Sequence, residues 1–410
     1  MLTHPRKRAL SGDLLSAKPN KNLIADLDLL RAVSVIAIIV HHANHNLIEW
    51  KSPALATFYA YFGGSFGPDL FFAISGFIIA RDLVPRLSAC HSRQEWLNAS
   101  LFFWIKRVYR ILPSAWFWLA VILLLCVTFN SSGVFGTFRA NFEATIAGIL
   151  QVANFRFAAS WGSFPYGASF VYWTLSLEEQ FYMLFPFVIW FGRRYLVYIL
   201  AAAIIYQLVQ PRSILGLAVR TDALMMGILI ALWSVRDSYR AVEPVFLKTR
   251  PLLGFSFLCG VTWCLISLSP GSKGIFIVPL RWSLISPLCA LLVLVASYNG
   301  NYLMPDSPVK RLLLWVGSRS YAIYLCHIPA FFATREIMHR LHPGTKFSSD
   351  DFWIFVAIAT TIIVVCSELN YRILEVPLRR RGARIAADLM AKRQAELAAK
   401  QAGEQSGATG

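Results

Sequence analysis

Arg31 and His42 stand eleven positions apart in one apolar run, Asp26-Leu-Asp-Leu-Leu-Arg31-Ala-Val-Ser-Val-Ile-Ala-Ile-Ile-Val-His41-His42-Ala43. At about 100° per helical residue that spacing is about 1100°, three turns plus about 20°, so both groups project from one face about 16 Å apart along the axis. On the same helix His41 falls about 80° off that face, and His45 about 40° off on its other side. Ionisable side chains this deep in an apolar segment are costly and mark a site by default. The plainer reading is a pair of satisfied bundle histidines with Arg31 snorkelling to the interface.

Other polar groups recur in apolar surroundings. Arg107 and Arg110 are three apart, on one helical face, and two guanidiniums so placed can grip a diphosphate or a ribose phosphate of a nucleotide-like donor bidentately. Asp69 with Ser75-Gly76 sets a carboxylate and a close-packing pair into another apolar run. Glu178 and Glu179 are adjacent and point about 100° apart, so one faces a site and the other does not. Arg220-Thr-Asp222 opens a further run, either as a structural ion pair or as part of a site, and His327 is a second intramembrane histidine, two residues before Pro329.

The elements that must position these groups are membrane helices. The chain has 410 residues, 57% hydrophobic and only 15% charged, with a net charge of +17. Soluble domains are about a quarter charged, so the expectation is an all-α, polytopic integral membrane helix bundle. Lys and Arg gather in the two tails and in short loops, the positive-inside pattern, and no nucleic-acid-binding signature accompanies them. The seven cysteines form no CxxC pair, so neither a disulfide framework nor a zinc or other metal site is indicated. Residues 1–25 read as a basic cytoplasmic tail with no cleavage site, 26–373 as the transmembrane domain, and 374–410 as a cytoplasmic tail. That last tail would hold a short surface helix and a disordered Gly/Ser end.

About ten spans are expected, near 26–43, 66–85, 111–129, 170–191, 195–210, 214–235, 251–269, 278–298, 312–332 and 352–373. Arg81, Arg86, Arg93, Lys106, Arg107 and Arg110 fall in a basic loop before the third, and a Ser-Pro-Gly turn joins the seventh and eighth. Within residues 141–168 the apolar piece near Phe142–Phe157 is too short to cross, and a crossing there would put Arg193 and Arg194 outside. A re-entrant dip resolves that conflict. Both termini then lie in the cytoplasm.

The order of motifs carries a resemblance. Arg31-x10-His42-Ala43 is followed by Gly67-x-Asp69-Leu-Phe-Phe-x-x-Ser75-Gly76-Phe77, Arg107-x-x-Arg110-Ile-x-Pro113 and Trp173-Thr-Leu-Ser-Leu-Glu178-Glu179-Gln-Phe-Tyr182. Arg220-x-Asp222-x-Leu-x-x-Gly227, Ser320-Tyr-x-x-Tyr-Leu-x-His327-x-Pro329 and Glu375-x-Pro377 complete the set. Over residues 24–382 the chain resembles the acyltransferase family 3 membrane proteins. The resemblance implies transfer of an acyl group, commonly acetyl, from cytoplasmic acyl-CoA to a hydroxyl of a carbohydrate outside the bacterial inner membrane: O-antigen, exopolysaccharide, peptidoglycan, or a lipid-linked or lipo-oligosaccharide acceptor. No bound cofactor is implied, and the chain resembles the stand-alone kind, without an SGNH domain.

The resemblance also implies roles. Arg31, Arg107 and Arg110 would hold the donor. His42 would act as general base or briefly carry the acyl group, with Glu178 or Glu179 orienting it. A buried arginine or the Ser75-Gly76 turn would serve as oxyanion partner. Asp69, Ser75, Arg220, Asp222 and His327 are further site candidates. The rival from another class is a transporter or flippase with a polar intramembrane path; it leaves the Arg107–Arg110 pair without a purpose and finds no internal repeat.

Overall fold

The computed structural model describes residues 24–210, 212–269 and 281–407, with side chains to residue 393. The expected basic tail lies outside these residues up to position 23, as do most of the Ser-Pro-Gly turn, the start of the eighth span and the last three residues of the Gly/Ser end. Among the described residues the chain is helical throughout, with no β-strand.

The helices run α1 (Ala25–Asn46), α2 (Pro53–Tyr61), α3 (Gly67–Ser88), α4 (Arg93–Thr128), α5 (Phe138–Ile149), α6 (Ala153–Ser160), α7 (Tyr172–Gly192), α8 (Leu196–Val209), α9 (Ile214–Ala218) and α10 (Asp222–Trp233). Two short turns, α11 (Asp237–Ala241) and α12 (Phe246–Thr249), lead to α13 (Pro251–Leu268), α14 (Arg281–Ser297), α15 (Pro308–Ser318), α16 (Ser320–Leu341), α17 (Phe352–Leu369) and α18 (Val376–Gly407). Five segments are long and apolar enough to cross a membrane: Arg93–Thr128, Tyr172–Val209, Ile214–Trp233, Pro251–Leu268 and Ser349–Arg393. Helices α1, α3 and α16 are 22 residues each, and carry the buried Asp, Arg and His groups that lower their apolar character. Exposed Leu124, Phe191, Tyr198 and Trp353 on α4, α7, α8 and α17 turn apolar surface outward, where acyl chains take the place of water.

Several expected boundaries are corrected. The basic loop before the third span is helical from Arg93 on: α4 is one helix of 36 residues, so Lys106, Arg107 and Arg110 lie on its rigid shaft. Ser92 starts it by accepting from Glu95 N. The sixth span is broken, because Val219 and Thr221 leave helical geometry between α9 and α10. The C-terminal stretch is a 32-residue helix rather than a short one. It is joined to α17 by a π-turn at Asn370–Glu375 and packs along α4. Helix α1 loses its regular course at Asn44 (ψ 124°) and His45 (φ 68°), where Asn46 Nδ2 reaches back to the His42 carbonyl. His45 therefore does not keep the angle that an unbroken helix gives it.

Residues 138–168 form the pair α5 and α6, broken at Gln151 (φ 57°). The buried Asn141 side chain donates to the carbonyls of Phe135 and Thr137 and accepts from Ala168 N at 2.8 Å. One amide thus ties the entrance of the segment to its exit. The α5–α6 pair therefore begins and ends at one place, the geometry a re-entrant segment would have.

The most extensive helix contact among the described residues is α3 on α10. A Cβ on Gly76 would lie 2.0 Å from the Leu224 carbonyl oxygen, and one on Gly227 2.0 Å from that of Ala73. Small residues let the two backbones touch, which is how helices associate where lipid removes the hydrophobic drive.

Candidate active site

His42 sits in the last regular turn of α1, and its Nδ1 lies 2.9 Å from His327 Nε2 on α16, with the rings stacked 7° from parallel. The other nitrogen of His327, Nδ1, lies 2.7 Å from the Tyr324 carbonyl oxygen. A carbonyl only accepts, so His327 Nδ1 carries the proton. His327 is fully buried, and a neutral ring then offers its Nε2 lone pair. His42 Nδ1–H donates to it, which leaves His42 Nε2 as a free lone pair, the arrangement a general base needs. Phe170 packs edge-on against the His42 ring at 5.3 Å.

Two cavities lie along α1, α3 and α4. The larger, about 610 Å³, is lined by Arg31, Arg107 and Arg110, joined by Arg81, Arg86, Lys106 and Arg379, against only two carboxylates, Asp28 and Asp82. Asp28 is taken by Arg31 and Asp82 by Arg86. Arg107 lies over the Phe103 and Tyr182 rings, and among the described residues neither it nor Arg110 is paired with a carboxylate. Unpaired cations in a concave, low-dielectric wall concentrate field on an incoming anion. The smaller cavity, about 100 Å³, shares Arg31, Arg107 and Arg110 with the first. It runs between Phe71, Phe72, Ser75, Glu178, Tyr321 and Tyr324. Neither histidine lines it, but Tyr324 does, and the Tyr324 ring centroid lies 5.6 Å from that of His327.

A sequence model described as an acyltransferase domain matches residues 24–369. The chain belongs to acyltransferase family 3. Curated relatives include a peptidoglycan O-acetyltransferase OatA from Listeria monocytogenes, 25% identical, with 88% of this chain and 57% of the relative aligned. An O-acetyltransferase OatA from Staphylococcus aureus is 25% identical (87% and 57% aligned), and a putative peptidoglycan O-acetyltransferase YrhL from Bacillus subtilis 26% identical (88% and 56%). The chain spans a little over half the length of these relatives. No solved structure matches it.

The acyltransferase fold distributes the expected residues over three places. Arg31, Arg107, Arg110, Ser75 and Glu178 line the cavities, and His42 and His327 form the pair beyond them. Asp69, Arg220 and Asp222 lie apart. Arg220 Nε and Nη2 donate to the two Asp69 oxygens at 2.8 and 2.6 Å, both residues buried, with the guanidinium 5.5 Å from the Trp173 ring centroid and 4.9 Å from that of Trp282. Asp222 pairs with Arg212 and accepts from Ser286 Oγ, so Arg220 and Asp222 are not partners of each other.

Two expectations are corrected here. Neither Glu178 nor Glu179 orients His42, because His327 occupies its Nδ1; Glu178 instead accepts from the Tyr182 hydroxyl. Glu179 is buried, with Oε1 unpartnered. Nor is there a turn at Ser75-Gly76: both lie inside α3, where backbone N–H groups serve the helix, and only the Ser75 side chain reaches the passage. Arg379 and Trp282 carried no spacing signal, because each meets its site from a distant helix, whereas Tyr324 and Trp173 stood inside the quoted motifs without a role of their own.

Proposed function

We propose that this acyltransferase moves an acyl group, in the first instance acetyl, from acyl-CoA to a hydroxyl of a carbohydrate on the far side of the membrane. The observation that carries the reading is the placement of the unpaired Arg107 and Arg110 on two adjoining cavities, the smaller of which reaches Tyr324, one turn of α16 before His327 and its partner His42. The donor phosphates would rest on Arg107 and Arg110, and the pantetheine arm would thread past Arg31, Ser75 and Tyr324. His42 Nε2 would take the proton of the acceptor hydroxyl as its oxygen attacks the thioester carbonyl. The C–O bond forms, the C–S bond breaks, and the proton passes to the CoA thiolate. His327 would hold the tautomer and share the charge, the part a carboxylate plays in a triad.

The acceptor is a surface carbohydrate, with peptidoglycan suggested by the names of the relatives. Ile24, at the start of the described chain, and Arg379 and Ala383, near its end, line the same cationic cavity. Together with the positive-inside pattern this supports a bacterial inner-membrane protein with both termini on the cytoplasmic, donor side. Incubation of the purified protein with acetyl-labelled acetyl-CoA and candidate glycans tests the reading: label should enter the saccharide and stay out of it with His42→Gln. Absence of transfer from acetyl-CoA to every saccharide, with the protein folded, refutes it.

A further inference from the structure

The family match ends at residue 369, but the cationic cavity does not. Beyond it, the π-turn Asn370–Glu375 swings the chain back, and α18 lies along the N-terminal half of α4. Two stripes of α18 are distinguishable. Gly382 and the fully buried Ala386 face α4, where a Cβ on Gly382 would meet Tyr109 Cβ at 2.3 Å, and Arg393 farther along donates to Asn98. Arg379 and Ala383, also four apart, line the cavity, and Arg380 and Arg381 do not, although all four are exposed. The nearest carboxylate to Arg379 is Glu375, at 3.8 Å, long for an ion pair, so the guanidinium retains donors for another anion.

We propose that α18 is a wall of the donor site and that Arg379 binds the phosphate on the ribose of the donor nucleotide. This rests on the acyl-CoA reading above and extends it. Arg107 and Arg110 stand three apart on α4 and bring two charges to the cavity, enough for one diphosphate, and Arg379 arrives from a separate helix, as a second, separated phosphate requires. The donor class is then a nucleotide thioester with a ribose phosphate in addition to its diphosphate.

The experiment is steady-state transfer by the full chain from acetyl-CoA and from acetyl-dephospho-CoA, which differ only in that phosphate. Wild-type protein should show a KM roughly three- to tenfold lower for acetyl-CoA, the low end for a charge-assisted contact at a part-exposed side chain. Arg379→Ala should erase that ratio, leaving KM for the dephospho donor unchanged; Arg379→Lys should restore part of it, and Arg380→Ala should keep it whole. Gly382→Leu, which forces α18 off Tyr109, should lower the ratio in protein that still elutes as a folded species. A ratio preserved in Arg379→Ala, or lost equally in Arg380→Ala, overturns the assignment. If the wild type uses both donors with equal KM, the ribose-phosphate site is wrong while the donor reading stands; if it uses neither, the donor reading itself fails.

Discussion

Two sets of arginines in this bundle show opposite uses of one side chain. Arg220 has a bidentate Asp69, two tryptophan faces and almost no exposure. Its Nε and Nη2 are spent on Asp69 under the two indole faces, and it ties α3 and α7 to the start of α10. Arg107 and Arg110 line open cavities and, among the described residues, pair with no carboxylate. In an apolar bundle a charge alone does not mark a site, since a fully paired charge is architecture. An unfilled hydrogen-bonding valence marks the site. The histidines follow the same rule: His327 has both nitrogens engaged, and His42 has one free.

The sharpest break between used and free valence is at His42. His42→Gln should lower acyl transfer by roughly 10³- to 10⁴-fold while leaving the protein inserted and its thermal transition in place. His327→Leu removes the group that fixes the tautomer, and a loss of about 10²-fold in kcat, with KM for the acyl donor unchanged, is expected. If the two variants lose equal activity and also stability, the pair is structural and the catalytic base lies elsewhere.

Breaking the paired arginine should register in the fold rather than in binding. Arg220→Ala leaves Asp69 buried without its partner, a change that costs about 3–5 kcal/mol in buried ion pairs. The readout is a lower unfolding temperature in detergent and poor recovery from the membrane. Replacing both members, Asp69→Leu with Arg220→Met, should recover most of that loss. A stable, inactive Arg220→Ala protein would move Arg220 into the functional set and undo the contrast.

The unpaired arginines should behave in the opposite way. Arg107→Ala or Arg110→Ala should weaken acyl-CoA binding roughly 10- to 100-fold, the range for a charge-assisted contact, with unfolding temperature unchanged or raised. Lysine should recover part of the affinity, since it keeps the charge and loses the fork. Isothermal titration with CoA on the purified variants checks this. Equal affinity in both alanine variants removes the cavity from the donor path.

What the sequence shows of this arrangement is what lies within one helix. The Arg31–His42 face, the Arg107–Arg110 pair and the helical class follow from periodicity and composition. Arg31, Arg107 and Arg110, which lie on two helices, line both cavities. What depends on a meeting of distant helices is not legible in spacing. His42 and His327 are 285 positions apart, and Asp69 and Arg220 are 151 apart. Adjacency in sequence even misleads: Arg220 and Asp222 suggest a pair, and each takes a partner on another element. The length of α4 was obscured for a related reason. Its basic first half reads as loop by hydropathy, but it is stabilised as helix by the α18 packed along it.

The smallest expected effects separate His42 from its two neighbours. His41 is only half-buried, its Cβ beside the Gly64 backbone, and its ring lies 5.6 Å from that of His42 at a tilt of 46°. It makes no hydrogen bond to the His42–His327 pair. His41→Gln should therefore keep turnover within about threefold, as most substitutions outside buried networks do. His45 is exposed and holds φ 68°, a left-handed conformation that asparagine also adopts readily. His45→Asn should stay within about twofold of wild type, whereas His45→Val, β-branched and strained at that φ, should lower stability before activity. The kink at Asn44 is what removes His45 from the face shared by Arg31 and His42. Should His45→Asn abolish transfer while His42→Gln retains it, the helix must run unbroken through Asn44, and the base would lie one turn farther along α1.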